Sequence, residues 1–252
     1  MNTVRRLVSA AGGNETAIEV IGKPLSRKDY VSRGAELFDD FEQFGAEQSG
    51  FLVLDENHFE MAGGEFCGNA TRSAAVLLHQ KHGKETMSFT VSGFKGTVNA
   101  SVKRLNDSKY FVEAEFPGMR AATDQVVLAD GSSASVVDLG GIVHVVIEGE
   151  FPSGSDEYSR RHRQIVDQLD LANRDAVGVI WFKKSADAVV MHPVVWVRAV
   201  DTFYYESSCG SGTIAVGGVT GAHSIVQPSG KPISAEIYEG GVVLKSEMEV
   251  VR

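Results

Sequence analysis

A short segment that occurs twice constrains this chain more than any other feature. Glu65-Phe66-Cys67-Gly68-Asn69-Ala70-Thr71 and Glu206-Ser207-Ser208-Cys209-Gly210-Ser211-Gly212-Thr213 hold its two cysteines, 142 residues apart. Each cysteine follows a glutamate closely, precedes Gly and a small polar residue, and has Thr four positions on. Each also opens an apolar, small-residue run of helical length, Gly68–His82 and Gly210–Ala222. A separation of slightly more than half the chain reads as a degenerate internal duplication, so two related halves are expected. A cysteine in an apolar helix is ordinarily a small buried hydrophobe. Two matching contexts that hold both cysteines of the chain reverse that preference.

Several chemistries fall away. Two cysteines exclude a disulfide scaffold and any site of three or four thiolates. The seven histidines show no H-x-x-x-H pair, so no metal is expected. Arg72 stands five positions after Cys67, one short of a Cys-x5-Arg phosphatase loop. A cysteine hydrolase would leave the second segment unexplained. A disulfide between Cys67 and Cys209 stays open, although a cytoplasmic setting argues against it. Neither G-x-G-x-x-G nor a Walker A sequence is present, and no cofactor is expected. A net charge of −9 without a basic block argues against nucleic acid. No apolar run approaches the roughly 20 residues that span a bilayer. Arg5 and Arg6 precede no apolar signal-like stretch. A cytoplasmic protein without a membrane partner is expected.

A Cys-Gly turn entering a helix is suited to anions. The first amides of a helix lack intrahelical acceptors, and the helix dipole adds partial positive charge there. The same field favours thiolate over thiol. Each segment therefore offers a base and a carboxylate cradle together. With both helix N-termini facing one cleft, one thiolate can take an α-proton while the opposite thiol returns a proton to the other face. The result is inversion at carbon, with the carbanion's charge spread into a carboxylate held by helix amides.

The segments C-G-N-A and C-G-S-G-T resemble those of the cofactor-independent amino-acid racemases and epimerases of the diaminopimelate epimerase fold. Within that family the chain is most similar to the histidine racemases that serve staphylopine-type opine metallophores. Glu47-Gln48-Ser-Gly-Phe51, Val91-Ser92-Gly93 and Val143-His144-Val-Val-Ile147 carry that similarity with the two cysteine segments. The resemblance implies Cys67 and Cys209 as the two-base pair. It implies Glu47, in a loop taken to be mobile, as an auxiliary catalytic group. It also implies substrate contacts at Asn14, Gln48, Gly68, Asn69, His144, Glu206, Gly210 and Ser211. The diaminopimelate pattern carries an Asn-Pro-His segment and a Glu-Arg pair where this chain has Gly140-Gly-Ile-Val-His144 and Val200-Asp201. Without them the distal charges of diaminopimelate would be buried unpaired. The expected reaction is L-histidine to D-histidine. Another amino acid, a hydroxyproline-like ring, diaminopimelate itself, or a non-catalytic small-carboxylate binder are the alternatives. A small-molecule amino acid is the expected partner, with a homodimer as the candidate assembly.

The architecture expected is α/β (α+β) and diaminopimelate epimerase-like. Two pseudo-symmetric halves, 1–118 and 119–252, each curl a mostly antiparallel sheet around a central helix, with the site between them. Pro117-Gly118-Met119 marks the division. Outer helices are expected at Arg27–Phe41 and Asp156–Leu171, the latter amphipathic. Strand-like runs fill most of the rest, including Phe51–Leu54, Val136–Leu139, Val143–Ile147, Val189–Val197 and Val242–Lys245. Glu47 and Gln48 are expected in a loop. Phe203-Tyr204-Tyr205 is a candidate wall for a flat ring, though packing is its ordinary use.

Overall fold

The computed structural model describes residues 4–252. Strand β1 (Val4–Ala10) turns into β2 (Gly13–Ile21), and helix α1 (Arg27–Glu42) crosses to β3 (Ala46–Val53) and β4 (His58–Met61). Helix α2 (Gly68–His82) then crosses to β5 (Thr86–Val91), followed by β6 (Thr97–Arg104) and β7 (Lys109–Pro117). An extra edge strand, β8 (Ala122–Val127), opens the second half. The order then repeats: β9 (Ser133–Asp138), β10 (Val143–Glu148), α3 (Ser155–Gln168), β11 (Ala176–Lys184) and β12 (Val189–Val197). A short β13 (Thr202–Tyr205) precedes α4 (Gly210–Thr220), β14 (Ser224–Val226), β15 (Pro232–Tyr238) and β16 (Gly241–Val250).

Pairing repeats as well. Strands pair antiparallel except where a helix crosses over: β2 with β3, β4 with β5, β10 with β11 and β12 with β14. Parallel pairs need such crossovers, and each half has two. Strand β16 pairs with β15, with β7, and at its end with β1. Strands β1 to β7 therefore close into a barrel through β16, a strand from the end of the chain. Pro117 ends β7 and Gly118, at φ +80°, turns the chain towards β8.

Burial follows composition. Helix α2 is buried from Gly68 through Leu78, and α4 from Gly210 through Gly217, because Ala, Gly, Val and Thr cover all their sides. They pack inside the curls, and Ala70, Ala74, Ile214 and Ala215 join one core that runs through both halves. Helix α1 buries Tyr30, Leu37 and Phe41 against the outside of the first sheet. Helix α3 does the same with Tyr158 and Ile165 against Val145, Val179 and Trp181 of the second. No helix among the described residues is long and apolar enough to cross a membrane.

The differences from expectation have local causes. Helix α3 stops at Gln168 because Asp170 takes φ +53°, and α4 stops at Thr220 because Gly221 caps it in the left-handed region at φ +73°. Residues Ala46–Gln48 are not a loop: they begin β3, and Glu47 is the extra residue of a bulge where β2 pairs Glu15 with Ala46 and Thr16 with Gln48. Such a bulge re-aims the side chain it carries.

Candidate active site

The duplication persists atom by atom at the cysteines. Cys67 and Cys209 are the N-cap residues of α2 and α4, with extended backbones at φ −132°, ψ 111° and φ −141°, ψ 110°. The Cys67 Sγ accepts the Ala70 amide at 3.4 Å, and the Cys209 Sγ accepts the Gly212 amide at 3.2 Å. The hydroxyls of Thr71 and Thr213 return to the cysteine carbonyls at 2.8 and 2.7 Å. Both thiols are free; Cys67 is half-buried and Cys209 buried. The amides of Gly68, Asn69, Gly210 and Ser211 stand in the first helical turns, where intrahelical acceptors are missing.

The two helix N-termini meet each other. A Cβ on Gly68 would lie 3.5 Å from the Gly210 carbonyl carbon, and one on Gly210 would lie 2.9 Å from Asn69 Oδ1 and 3.1 Å from an Arg72 nitrogen. Glycine at 210 thus permits the approach. Gly210→Ala is expected to wedge the helices apart, with a loss of about 1–3 kcal/mol in stability, read by denaturant unfolding, and of at least about tenfold in turnover.

A polar lattice from both halves surrounds this junction. Asn14, at φ +49°, donates to Glu47 Oε2 at 3.1 Å and accepts from Gln48 at 2.7 Å and Asn69 at 2.9 Å. Gln48 also accepts the Cys67 thiol at 3.4 Å. Ser207, from the second half, donates to Glu47 Oε1 at 2.6 Å and accepts the Asn14 amide at 2.8 Å. Ser208 accepts from Asn69 at 3.1 Å and donates to the Ala10 carbonyl at 2.6 Å. Gln227 accepts the Cys209 amide at 2.8 Å. His144, fully buried on β10, reaches Cys209 only through Ser211: its Nε2 lies 2.9 Å from the Ser211 hydroxyl, which is 3.6 Å from Sγ.

Arg72 is 0% exposed and lies at the centre of this junction. Its guanidinium donates to the Gly68 carbonyl at 3.1 Å, to Ser246 at 2.6 Å and to Asn69 Oδ1. Burial lowers its pKa to about 10, and negative charge on Cys67 or Cys209 works against that fall.

Burial dominates the titration of every acid here. It pushes the Cys67 thiol up to about 12, with the Glu206 carboxylate adding to the rise, and raises Cys209 well above its ordinary value for the same two reasons. Burial raises Glu65 to about 7 and Glu206 to about 8, and Glu47 rises against hydrogen bonds from Ser207 and Asn14. It lowers His144 to about 3, so that ring is neutral at physiological pH. Raised carboxyls hold protons in the folded chain that the unfolded chain releases near 4.5. The stability they supply is full below that pH and is lost as pH rises through 7 and then 8. His144 has the opposite sign: its share is lost as pH falls from 6.5 towards 3. Glu206→Gln is therefore expected to flatten the fall in Tm between about pH 6 and about pH 9, at roughly 2–4 °C for each kcal/mol relieved. Melting curves at both pH values check this.

A cavity of about 180 Å³ opens beside the junction, between α1 and the β12–β13 face of the second half. Glu47, Gln48, Glu65 and Glu206 line it, with Phe38, Val197 and Tyr204 among its apolar walls. A larger groove of about 750 Å³ over β5–β7 shares no residue with it. Of the aromatic run, only Tyr204 reaches this cavity. Phe203 packs against His162, and Tyr205 hydrogen-bonds His192 at 2.9 Å.

The structure thus brings together Asn14, Glu47, Gln48, Cys67, Gly68, Asn69, Glu206, Cys209, Gly210 and Ser211, with His144 one side chain further out. Sequence reasoning gave no role to Glu65, Arg72, Ser207, Ser208 or Gln227. The first four stand inside or next to the repeated segments, which is the signal that points to them. Gln227 lies in a polar turn and carries none.

A family model described as the histidine racemase CntK N-terminal domain matches residues 14–248. The chain is similar to a histidine racemase of Fusobacterium nucleatum subsp. nucleatum, 31% identical over 181 residues, covering 68% of this chain and 65% of the relative. A histidine racemase of Staphylococcus aureus strain Mu50 is 25% identical over 182 residues, covering 68% and 64%. The matched stretch thus spans just under two thirds of these relatives' length. Among solved structures, a hydroxyproline epimerase from Agrobacterium vitis superposes with a TM-score of 0.60 at 12% identity, covering 99% of this chain and 92% of that one. A phenazine biosynthesis protein of the PhzF family from Enterococcus faecalis gives 0.59 at 18%, covering 100% and 98%. These two share the fold. The family match across most of the chain, carried on two thiol-capped helices that meet at their N-termini, places this protein in the histidine racemase CntK N-terminal domain family.

Proposed function

We propose that this chain is an amino-acid racemase that interconverts L- and D-histidine without a cofactor, using Cys67 and Cys209 as paired acid and base. One observation carries the reading: two cysteines cap two helices whose N-termini abut, so two thiols and two sets of free amides share one place. The relatives' described activity supports histidine as the substrate.

In this mechanism the substrate carboxylate lies on the amides of Gly68, Asn69, Gly210 and Ser211. One thiolate takes the α-proton, and the C–H electron pair passes through Cα into the carboxylate. The charge that develops there is met by donors already oriented by the helices, which need no reorganisation. The opposite S–H then protonates Cα on its other face, and the two sulfurs have exchanged protonation states. Burial makes each thiolate a strong base, which suits a weakly acidic C–H. The helix dipoles, Arg72 and the substrate's own ammonium oppose that burial by favouring thiolate. Asn14, Gln48 and Ser207 hold Glu47 and the Cys67 thiol in register across the two halves.

The motif resemblance supports a place in the cytoplasm, with D-histidine supplied to opine metallophore synthesis. Chiral chromatography of L-histidine incubated with the protein tests the reading. D-histidine is expected to accumulate towards equal amounts with no cofactor added. Folded protein that leaves L-histidine unchanged would overturn it.

A further inference from the structure

Resting on the racemase reading, we propose that the cavity between α1 and β12–β13 receives the substrate side chain and that Glu65 is its specificity residue, accepting a ring N–H. Of the other polar groups lining the cavity, Glu47 and Gln48 are engaged, and Glu206 lies against Cys209 and Asn14. Glu47 takes Ser207 on one oxygen and Asn14 on the other, and Gln48 is held by Asn14, Thr16 and Cys67. Glu65 differs. It is only 7% exposed, it lines the cavity, and its Oε2 has no hydrogen-bond partner among the described residues. A buried oxygen without a donor is costly to maintain, and the cost is recovered when a ligand brings the donor.

The cavity's placement ties it to the reacting carbon. Gln48 is both a cavity wall and the partner of the Cys67 thiol, while Glu206 is both a wall and the neighbour of Cys209. An α-carbon held between the two sulfurs therefore sends its side chain towards Glu65. Phe38, Val197 and Tyr204 offer apolar surface along that path. A flat ring carrying an N–H at its tip satisfies both surfaces. An aliphatic side chain leaves Glu65 unpaired, and an acidic one meets Glu65, Glu47 and Glu206 together. Sites built around a hydrogen bond reject analogues that lack the donor far more strongly than apolar pockets reject a change of shape.

The test follows α-proton exchange in D2O for L-histidine, L-leucine and L-glutamate with wild type, Glu65→Leu and Glu65→Gln. Wild type is expected to prefer histidine over leucine and glutamate by at least about 100-fold in kcat/KM. Glu65→Leu is expected to lose at least about 100-fold on histidine, mainly through KM, and to gain on leucine. Glu65→Gln keeps an acceptor oxygen and is expected to raise KM for histidine about tenfold while leaving exchange of leucine unchanged, which decides the matter even where Glu65→Leu does not fold. Either variant with wild-type kcat/KM for histidine, or an equal loss on every substrate, overturns the assignment of Glu65. Wild type inert towards every amino acid instead overturns the racemase reading, and this proposal with it.

Discussion

Serine in place of Cys67 or of Cys209 is expected to lower histidine racemisation by about a thousandfold, with each variant still folded and still binding histidine. The reasoning follows from position. Each sulfur accepts one amide of its own helix, Ala70 or Gly212, and contributes no tie between the halves. Those ties run through Asn14, Asn69, Ser207 and Ser208. A serine hydroxyl can take the same N-cap place, since oxygen is the usual acceptor there. It is a much weaker acid than a thiol and cannot supply the base or the acid of the reaction. In the proposed mechanism one turnover needs both sulfurs, so the double variant is expected to be little worse than either single one. Turnover by chiral chromatography and binding by calorimetry separate the two effects. Wild-type turnover in either single variant would contradict the two-thiol account.

Arg72→Met is expected to reduce turnover by about a hundredfold and to move alkylation of both cysteines by iodoacetamide to higher pH by about one unit. A guanidinium buried without a carboxylate is an unusual expense for a fold, since isolated buried charges are strongly disfavoured. Here its hydrogen bonds go to a carbonyl, a hydroxyl and an amide, and negative charge on Cys67 or Cys209 favours its charged form against burial. It acts as a fixed positive centre beneath both helix N-termini. Arg72→Lys keeps the charge but loses the fork that joins Gly68, Asn69 and Ser246. It is expected to restore most of the alkylation profile and part of the turnover. An unchanged profile in Arg72→Met would assign the residue to packing alone.

The two cysteine segments make the centre of this fold legible in the sequence. The Gly68–His82 helix, the start of the Gly210 helix and the Val189–Val197 strand stand where apolar runs and glycine caps place them. What periodicity did not reveal was short or exposed. Strand β4 spans His58–Met61, β14 spans Ser224–Val226, and both are too brief for a period to register. Strand β8 is an exposed edge rich in polar residues, so it lacks the alternation that burial imposes. The bulge at Glu47 escaped because a bulge is a property of two strands' register, which one segment does not encode. In the candidate site, Cys67, Cys209 and Asn69 stood within the repeated segments, while Asn14 and Gln48 came from the family resemblance. Arg72 and Glu65 were in plain view in or beside those segments, yet their meaning comes from burial and missing partners, which are three-dimensional facts. Gln227 reaches the Cys209 amide from a turn that nothing in the sequence connects to the site.

The most direct test of two thiols on opposite faces is the isotope content of both enantiomers early in a reaction run in D2O. L-histidine is offered with no added cofactor, and mass spectrometry follows each enantiomer after chiral separation. The account predicts that the first D-histidine formed carries deuterium at Cα while the remaining L-histidine still carries hydrogen, because the incoming proton comes from the opposite sulfur. D-histidine that retains the substrate's hydrogen would show one base working on both faces and would contradict the account.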